Sequence, residues 1–441
     1  MQATGEPRFD VIIVGGRCSG ATLAVYLARA GASVMVIEKQ PLGSDYILST
    51  HTIHPPGVDI LDEVGVGELM REVTPASRVI RLRKGAAVVD VSYPDGKSEY
   101  CPRRQRLDSL LQQAAKEAGT EFLDRTTVTG LLWEGDRVCG VEASTPSGPR
   151  RFKAGLVVGA DGRHSSLAQQ VGAREYFAYD APRGVYWAYW DAPARWRNDP
   201  AYRCDFYLGH AGGDFRFVFQ TDHGQLLIGT NPPVEEARHW RSDLARAYLA
   251  NLRSDPFTAG LVKEGRLEGK IRGTLSERYF FREAAGPGWA LVGDAGHNKD
   301  FIVGDGITEA LLQVKSLAAA IRKGTDAALR AWWRHRDVEA WEMFCFAQDE
   351  GALERPMDLQ EAVLRRVARS QQLKDSMAMV FERQVGPYDA LPFSTVLSGV
   401  WRAVLGGNWS VFPQFLAQGK RIRSVKNQLR SLEERLPAEA S

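Results

Sequence analysis

Apolar runs that break at glycine recur along the chain. Three of them share one layout: a strand-like run, a turn of small and polar residues, then a helix-like run. In the first, residues 11–14 (Val-Ile-Ile-Val) have the β-branched composition of a strand covered on both faces. Residues 21–30 are small and apolar in a helical pattern, and residues 33–37 predict the next strand. The β-α-β unit so formed fits within about 30 residues. In the second, a strand ends at Asp161-Gly162 and a short helix follows over 165–171. In the third, a strand ends at Gly293-Asp294, and a glycine-rich loop opens a helix over 309–321. Between these units the period falls to two. Residues 78–94 predict two short strands, and 184–191, 202–208, 215–221 and 225–229 predict antiparallel ones. From Trp332 the pattern is helical, broken at Gly386-Pro387, Leu391-Pro392 and Gly406-Gly407. Ile422, Val425, Leu429, Leu432 and Leu436 then follow a 3-4-3-4 spacing with Lys and Arg between them. That amphipathic helix is expected to pack on its own domain, with dimerisation as the next use and membrane-surface contact as the third.

This order predicts an α/β chain with a split architecture. A Rossmann-like dinucleotide-binding domain is expected over 1–75, 100–176 and 284–331. An antiparallel, β-rich substrate domain is expected over the inserts 76–99 and 177–283, and a helical region over 332–441. No repeat or low-complexity segment interrupts it.

The first glycine turn reads Gly15-Gly-Arg-Cys-Ser-Gly20. Gly15 and Gly20 fit the outer glycines of a G-x-G-x-x-G turn: one allows the sharp bend, the other lets the helix lie close on the sheet. Glu38 ends the next strand at the separation where an acid meets ribose hydroxyls. The middle glycine is replaced by Arg17. Gly16 is then expected to supply the close approach. Arg17 keeps its backbone N–H, and its guanidinium is a candidate partner for a phosphate oxygen at a helix N-terminus suited to anions.

The glycine turn, Asp161-Gly162 and Gly293-Asp294, in that order, resemble the three fingerprints of the FAD-dependent family that includes p-hydroxybenzoate hydroxylase and geranylgeranyl reductase. The resemblance covers roughly residues 8–335. It implies FAD as cofactor and NAD(P)H as reductant. It gives Asp294 the ribityl chain and Asp161 a place near both nucleotides. It places the N–H groups of Gly306, Ile307 and Thr308 at the flavin pyrimidine edge, where positive helix-terminal charge stabilises the anionic reduced flavin. Arg104-Gln-Arg-Leu-Asp108 resembles the segment whose Arg lies near the FAD diphosphate. Ser19, Lys39, Thr50, Val128 and Gly304 complete the implied cofactor set. Two departures stand out. Phe301 occupies a position where aromatic hydroxylases of the family carry proline, and Thr308 stands where they carry Asn.

Residues 49–57 (Ser-Thr-His-Thr-Ile-His-Pro-Pro-Gly) resemble a segment shared by a subgroup of bacterial oxidoreductases. In the family this stretch passes the flavin. His51 and His54 are therefore the candidate catalytic residues, as hydrogen-bond donor or acid/base; the plainer alternative is hydrogen bonding to loop backbone or FAD diphosphate. They lack accompanying ligands at metal spacing, so no metal is expected. His297 is expected to pack beside Asp294. The inserted sheet is rich in aromatics. Alternation puts Phe215, Phe217 and Phe219 on one face. Most are expected to be core, and Trp187, Tyr189, Phe206, Phe217 and Phe301 are the candidate pocket walls for a flat substrate.

Composition narrows the field. Lys+Arg 56 against Asp+Glu 54 gives a formal +2, so bulk charge offers no case for nucleic acid. Cys18, Cys101, Cys139, Cys204 and Cys345 are scattered and odd in number, as in a reducing cytoplasm rather than a disulfide framework. Cys18 reads as a small turn residue with little redox prospect. No signal peptide or membrane-spanning run is apparent. The resemblance thus implies a cytoplasmic, monomeric or homodimeric monooxygenase. It would use NAD(P)H and O2, through a flavin C4a-hydroperoxide, on an electron-rich aromatic or aromatic-amine small molecule. The alternatives are a C=C reductase of the geranylgeranyl type, a flavin halogenase (for which no catalytic lysine can be assigned) and a flavin-binding protein without turnover.

Overall fold

A computed structural model describes residues 6–45, 49–202, 204–211, 213–275 and 277–436. The ends of the outermost expected segments, residues 1–5 and 437–441, and the loop positions 46–48 lie outside it, as does Arg203 in the strand expected over 202–208.

The main sheet is built on the β-branched runs. Its order is Ala285–Gly286, Trp289–Leu291, Gly148–Gly159, Arg8–Val14, Val34–Ile37, Glu121–Leu123. The last five of these run parallel, in register at Val11 with Val34 and at Val11 with Leu156. Val11 to Val14 are buried, as a strand covered on both faces requires. The strand Gly148–Gly159 does two jobs. Its first half pairs antiparallel with Arg137–Thr145, and its second half lies in the parallel sheet. Helix Cys18–Arg29 crosses between the first two parallel strands, three residues earlier than the apolar run alone predicts.

Close approach of that helix is paid for by glycine. A Cβ on Gly20 would sit 1.8 Å from the Gly15 carbonyl oxygen. Gly15 itself has φ +102, and a Cβ there would sit 2.4 Å from the Ala160 carbonyl oxygen. The turn is thus wedged between its own helix and the end of the neighbouring strand.

The inserts form a second sheet, ordered Leu267–Thr274, Val185–Trp190, Leu226–Asn231, Asp214–Gln220, Phe206–Ala211, Ile80–Lys84, Ala87–Val91. It is antiparallel except at one junction, where Phe206–Ala211 pairs parallel with Ile80–Lys84. That junction joins the two separate inserts into one sheet. Phe215, Phe217 and Phe219 share one face. They pack with Trp187, Tyr189, Ile302, Val303 and residues of the C-terminal helices. The opposite face carries Tyr186, Trp190 and Val218. It is covered by helices Leu244–Arg253 and Pro256–Glu264, which the period-two reading of this insert misses. A third, three-stranded sheet of Glu175–Asp180, Arg278–Arg282 and His297–Asn298 was also not anticipated.

The C-terminal region is helical: Asp326–Gly351, Met357–Val367, Gln371–Phe381, Phe393–Leu405 and Val411–Glu433. Val425 and Leu432 of the last helix are buried near Trp341, so its expected apolar stripe does pack on its own molecule, while Leu436 falls beyond the helix end. Among the described residues no helix is long and apolar enough to cross a membrane.

Overpacking a close contact of this kind costs about 1–3 kcal/mol. Gly20→Ala is therefore expected to lower the unfolding free energy by that amount. Gly31→Ala, at φ +88 with nothing near its absent Cβ, should show only backbone strain. Denaturant titration of both variants checks the difference; equal losses would mean that the Gly20 contact carries no special load.

Candidate active site

The three motifs and Glu38 stand at the carboxyl ends of four adjacent parallel strands, the edge at which open α/β sheets bind ligands. Gly15, Arg17, Ser19, Asp161, Asp294 and Gly304 keep accessible surface there although most residues around them are buried. Gly293, at φ +61, brings the third motif against the first: a Cβ on it would meet Ser19 Oγ at 2.4 Å.

The glycine turn is clamped from two sides. Glu38 accepts the Gly16 N–H at 2.8 Å and the Gln40 N–H at 2.9 Å. Gln112 donates to the Gly16 carbonyl at 2.9 Å. The absent Gly16 side chain would meet Val36 and Phe122, so this glycine serves packing beneath the turn. Asp108 gathers three groups around the turn: Arg17 at 3.2 Å, Arg104 at 3.0 Å and the Cys18 thiol at 3.2 Å. Arg17 also donates to Ser44 Oγ at 2.9 Å. The Arg17 side chain is held by Asp108 and Ser44, partners that the glycine turn alone does not announce. Burial pushes the Cys18 thiol well up, so it stays protonated.

The residues fit an FAD. Helix Cys18–Arg29 has no side-chain cap and no acid in its first turn, which leaves its N-terminal N–H groups to an anion such as a diphosphate. Helix Gly306–Arg322 also lacks a side-chain cap, and a Cβ on Gly306 would point into open space. Asp161 caps its own helix through the Ser166 N–H at 2.8 Å, and its Oδ1 is buried without a partner. Burial raises the Asp294 carboxyl, with Arg163, Arg104 and Lys299 opposing part of the rise. Of the remaining expected cofactor residues, Lys39 is exposed beside Glu38, and Val128 is a core residue two positions past Thr126, whose N–H donates to the Glu38 carbonyl at 3.0 Å. The Thr50 carbonyl accepts from the Cys101 thiol at 3.2 Å.

The residues 51–54 lie between this groove and the second sheet. Thr52 abuts Gly304, and the His54 N–H donates to Thr308 Oγ1 at 2.9 Å. The two imidazoles point apart and meet opposite fields. His51, at φ 69, is fully buried. Its Nε2 lies 2.6 Å from the Tyr189 hydroxyl, and its ring is edge-on to Trp187 at 5.3 Å. Burial, then Arg104, Arg103 and Arg272, hold it well below the usual histidine range, so it is neutral. Arg103 lies 3.9 Å over the Tyr189 ring. His54 has Nδ1 2.7 Å from Glu99 Oε1 and Nε2 3.2 Å from the Val303 carbonyl oxygen, and it stacks on Phe381 at 4.6 Å. Burial opposes its charge, but Glu99, assisted by Asp305 and the Val303 carbonyl, outweighs burial and raises it. Tyr93 donates to the same Glu99 oxygen.

Behind residues 51–54, in the segment 298–309 that follows the third motif (its loop part is called the flavin loop below, after the family's pattern), sits a buried charge network. Lys299 pairs with Asp305 and Glu309, each at 2.7 Å. Arg383, from the C-terminal region, pairs with Glu309 at 2.6 Å and also with Asp305. Neither Glu99 nor Arg383 carries a motif, and the sequence reading missed both; so it did Arg103 and Arg272. The expected wall residues share one buried cluster: Phe206 stacks on Phe219 at 3.9 Å, Phe217 lies over Gly229, and Trp187 and Tyr189 are packed beside them. His297 packs on Phe281 at 4.3 Å with Gln313 3.4 Å from its Nδ1, and burial keeps it neutral. Phe301 is half-buried between the sheet and the C-terminal helices. All five cysteines are free, and among the described residues no three His, Cys, Asp or Glu side chains are grouped to hold a metal.

Residues 8–347 match the family described as FAD binding domain. The chain belongs to that family. It is 26% identical over 350 residues to the digeranylgeranylglycerophospholipid reductase of Methanocella arvoryzae, covering 76% of this chain and 84% of the relative. Among solved structures, p-nitrophenol 4-monooxygenase PnpA from Pseudomonas putida superposes with a TM-score of 0.73 at 18% identity, over 86% of this chain and 98% of that one. A geranylgeranyl bacteriochlorophyll reductase-like protein from Thermoplasma acidophilum gives 0.64 at 18% identity, over 97% and 100%. This member of the FAD-binding family is thus a flavin oxidoreductase by lineage, with a reductase among its sequence relatives and a monooxygenase among the structures that share its fold.

Two measurements probe the site. The protein is expected to purify yellow and release FAD on denaturation. Asp294→Ala should weaken retention by about 1.5–3 kcal/mol, the worth of a hydrogen bond to a charged group, or roughly 10- to 150-fold in Kd. Unchanged retention would place the ribityl chain elsewhere. The second follows from His54. A histidine raised in the folded state contributes stability that is fully present below the unfolded value near 6.5 and is lost as pH rises through the folded one. Glu99→Gln should therefore destabilise most below about pH 6 and least in the alkaline range. A loss that grows with pH would contradict the charged pair.

Proposed function

We propose that this protein is an FAD-dependent monooxygenase that uses NAD(P)H and O2 to oxygenate an electron-rich aromatic ring or aromatic amine. The observation that carries the reading is the setting of His51: a neutral imidazole 2.6 Å from the Tyr189 hydroxyl, framed by three arginines and backed against the flavin loop. Bound FAD supplies the redox chemistry, taking a hydride from NAD(P)H and passing its electrons to O2. The balance is R–H + O2 + NAD(P)H + H⁺ → R–OH + NAD(P)⁺ + H2O.

The chain's own residues supply the rest. A neutral His51 accepts a proton from a phenol or arylamine through Tyr189. Arg103, Arg104 and Arg272 stabilise the anion so formed, which raises electron density on the ring that is to be attacked. Trp187, Tyr189 and Phe301 offer flat apolar walls that exclude water. An isoprenoid double bond has no such proton to give and gains nothing from three guanidinium groups. A second reading, saturation of lipid C=C bonds, is supported by the likeness to the Methanocella reductase along most of its length. For halogenation, Lys299, the lysine of the flavin loop, is committed to two carboxylates.

With a panel of phenols and anilines, wild-type protein is expected to consume one O2 per product and to carry label from 18O2 into it. His51→Ala and Tyr189→Phe should keep FAD but lose turnover about 100-fold or more, or divert reduced flavin to H2O2. Product formed without oxygen, and without label, moves the chain to the reductase reading.

A further inference from the structure

Half of the surface story lies in the C-terminal helical hairpin, which the proposed reaction does not use. Helices Phe393–Leu405 and Val411–Glu433 pack on each other and on helix Met357–Val367 through Leu359, Val400, Val404 and Val411. Their outer faces are left apolar. Phe393, Trp401 and Leu405 recur on one stripe of the first helix and are 68%, 59% and 83% exposed. Trp409, in the turn, is 70% exposed, and Phe412 and Leu416 open the exposed stripe of the second helix. Six of the ten large apolar side chains exposed among the described residues fall within residues 393–416. A patch so concentrated marks an interaction surface rather than scattered surface leucines.

Charge says what covers it. From Phe393 to Leu432 the chain has no Asp or Glu, and it carries Arg402, Lys420, Arg421, Arg423, Lys426 and Arg430. Arg421 and Lys426 pair with Asp349 and Glu342 of neighbouring elements. Arg402, Lys420, Arg423 and Arg430 are exposed and make no ion pair among the described residues. The second helix orders its outer stripe along its length: Phe412 and Leu416 first, then Lys420, Arg423 and Arg430, at steps of four, four, three and seven residues, all close to whole helical turns. An apolar tip bearing two tryptophans, followed by a basic band on the same face, matches the layering of a bilayer surface. Aromatic rings seat at the acyl boundary and cations at anionic headgroups. A second copy of this chain would instead bring two basic bands together.

We propose that this hairpin docks the protein on an anionic membrane surface, tip first, without crossing it. The test is co-sedimentation of the full-length, FAD-loaded protein with vesicles of phosphatidylcholine alone or with a third phosphatidylglycerol. The expected result is binding to the anionic vesicles, weakened at least tenfold by 0.5 M NaCl, with a blue shift of tryptophan emission. Trp401→Ser/Leu405→Ser/Trp409→Ser should lose the binding, and Lys420→Glu/Arg423→Glu should lose its preference for anionic lipid. Flavin content and circular dichroism check that both variants fold. Absence of binding to anionic vesicles overturns the proposal. So does equal binding by the triple variant, or a dimer in sedimentation velocity that the triple variant dissolves while vesicles leave it unchanged.

Discussion

Two buried carboxylates, Asp305 at the end of the flavin loop and Glu309 in the first turn of the helix it opens, are the constraint to which much of the molecule answers. Each is taken out of water at a cost of several kcal/mol unless it is paired and hydrogen-bonded. The loop cannot neutralise both alone. Lys299 reaches both, and Arg383 reaches both from the C-terminal region. Arg383 sits at φ 59, a backbone state that costs an ordinary residue about 1–2 kcal/mol. Holding it there makes sense only if the guanidinium is needed inside. The consequence is mechanical. The helical region is fastened to the loop by charge as well as by apolar packing, and Phe381, two residues earlier, is thereby set on the His54 ring.

The same environment gives two histidines opposite states. His51 and His54 are three residues apart and both fully withdrawn from solvent, so burial drives each toward neutrality. What separates them is the second charge each one meets. For His51 it is a set of guanidinium groups, which adds to the effect of burial. For His54 it is Glu99 at 2.7 Å, which reverses it. With acceptors at both ring nitrogens, a charged His54 satisfies Glu99 and the Val303 carbonyl at once. Both of its ring nitrogens are thereby engaged. A neutral His51 keeps an unshared lone pair, which is the form an acid/base role requires.

That division explains how much of the site was legible in the sequence. The groove was readable because its determinants are local: a strand, a glycine turn and a helix within about 30 residues, repeated in variant form at two later strand ends. Gly15, Gly20 and Glu38 are recognisable because each obeys a spacing rule, and Asp161 because it resembles a family fingerprint at a strand end. The partners that set charge obey none. Glu99 reaches His54 across 45 positions, Tyr189 reaches His51 across 138, and Arg383 reaches Asp305 across 78. Arg17 shows the limit from the other side. Its position in a phosphate-binding turn suggests a phosphate partner, and nothing local announces Asp108, on a helix 91 residues away, as a partner of the guanidinium. The aromatic sheet was readable in register but not in depth. Alternation put Phe217 on the correct face, yet only the docking of the C-terminal helices determines that this face is closed at Phe217.

A net charge hides how charge is segregated along the chain, and the reason is physical. A formal net charge of +2 averages over a chain whose charges are segregated. A screened electrostatic interaction is felt over about 8–10 Å, so a partner responds to the local field and not to the sum. Residues 393–432 carry six cations and no anion, which leaves the other residues with a net charge near −4. The buried end of the C-terminal region meets acids of the flavin loop through Arg383, and its outer end meets solvent with unpaired cations around an apolar tip. The C-terminal region thus faces two electrostatic environments. The inner one fixes the fold, and the outer one is free to be satisfied by something outside it.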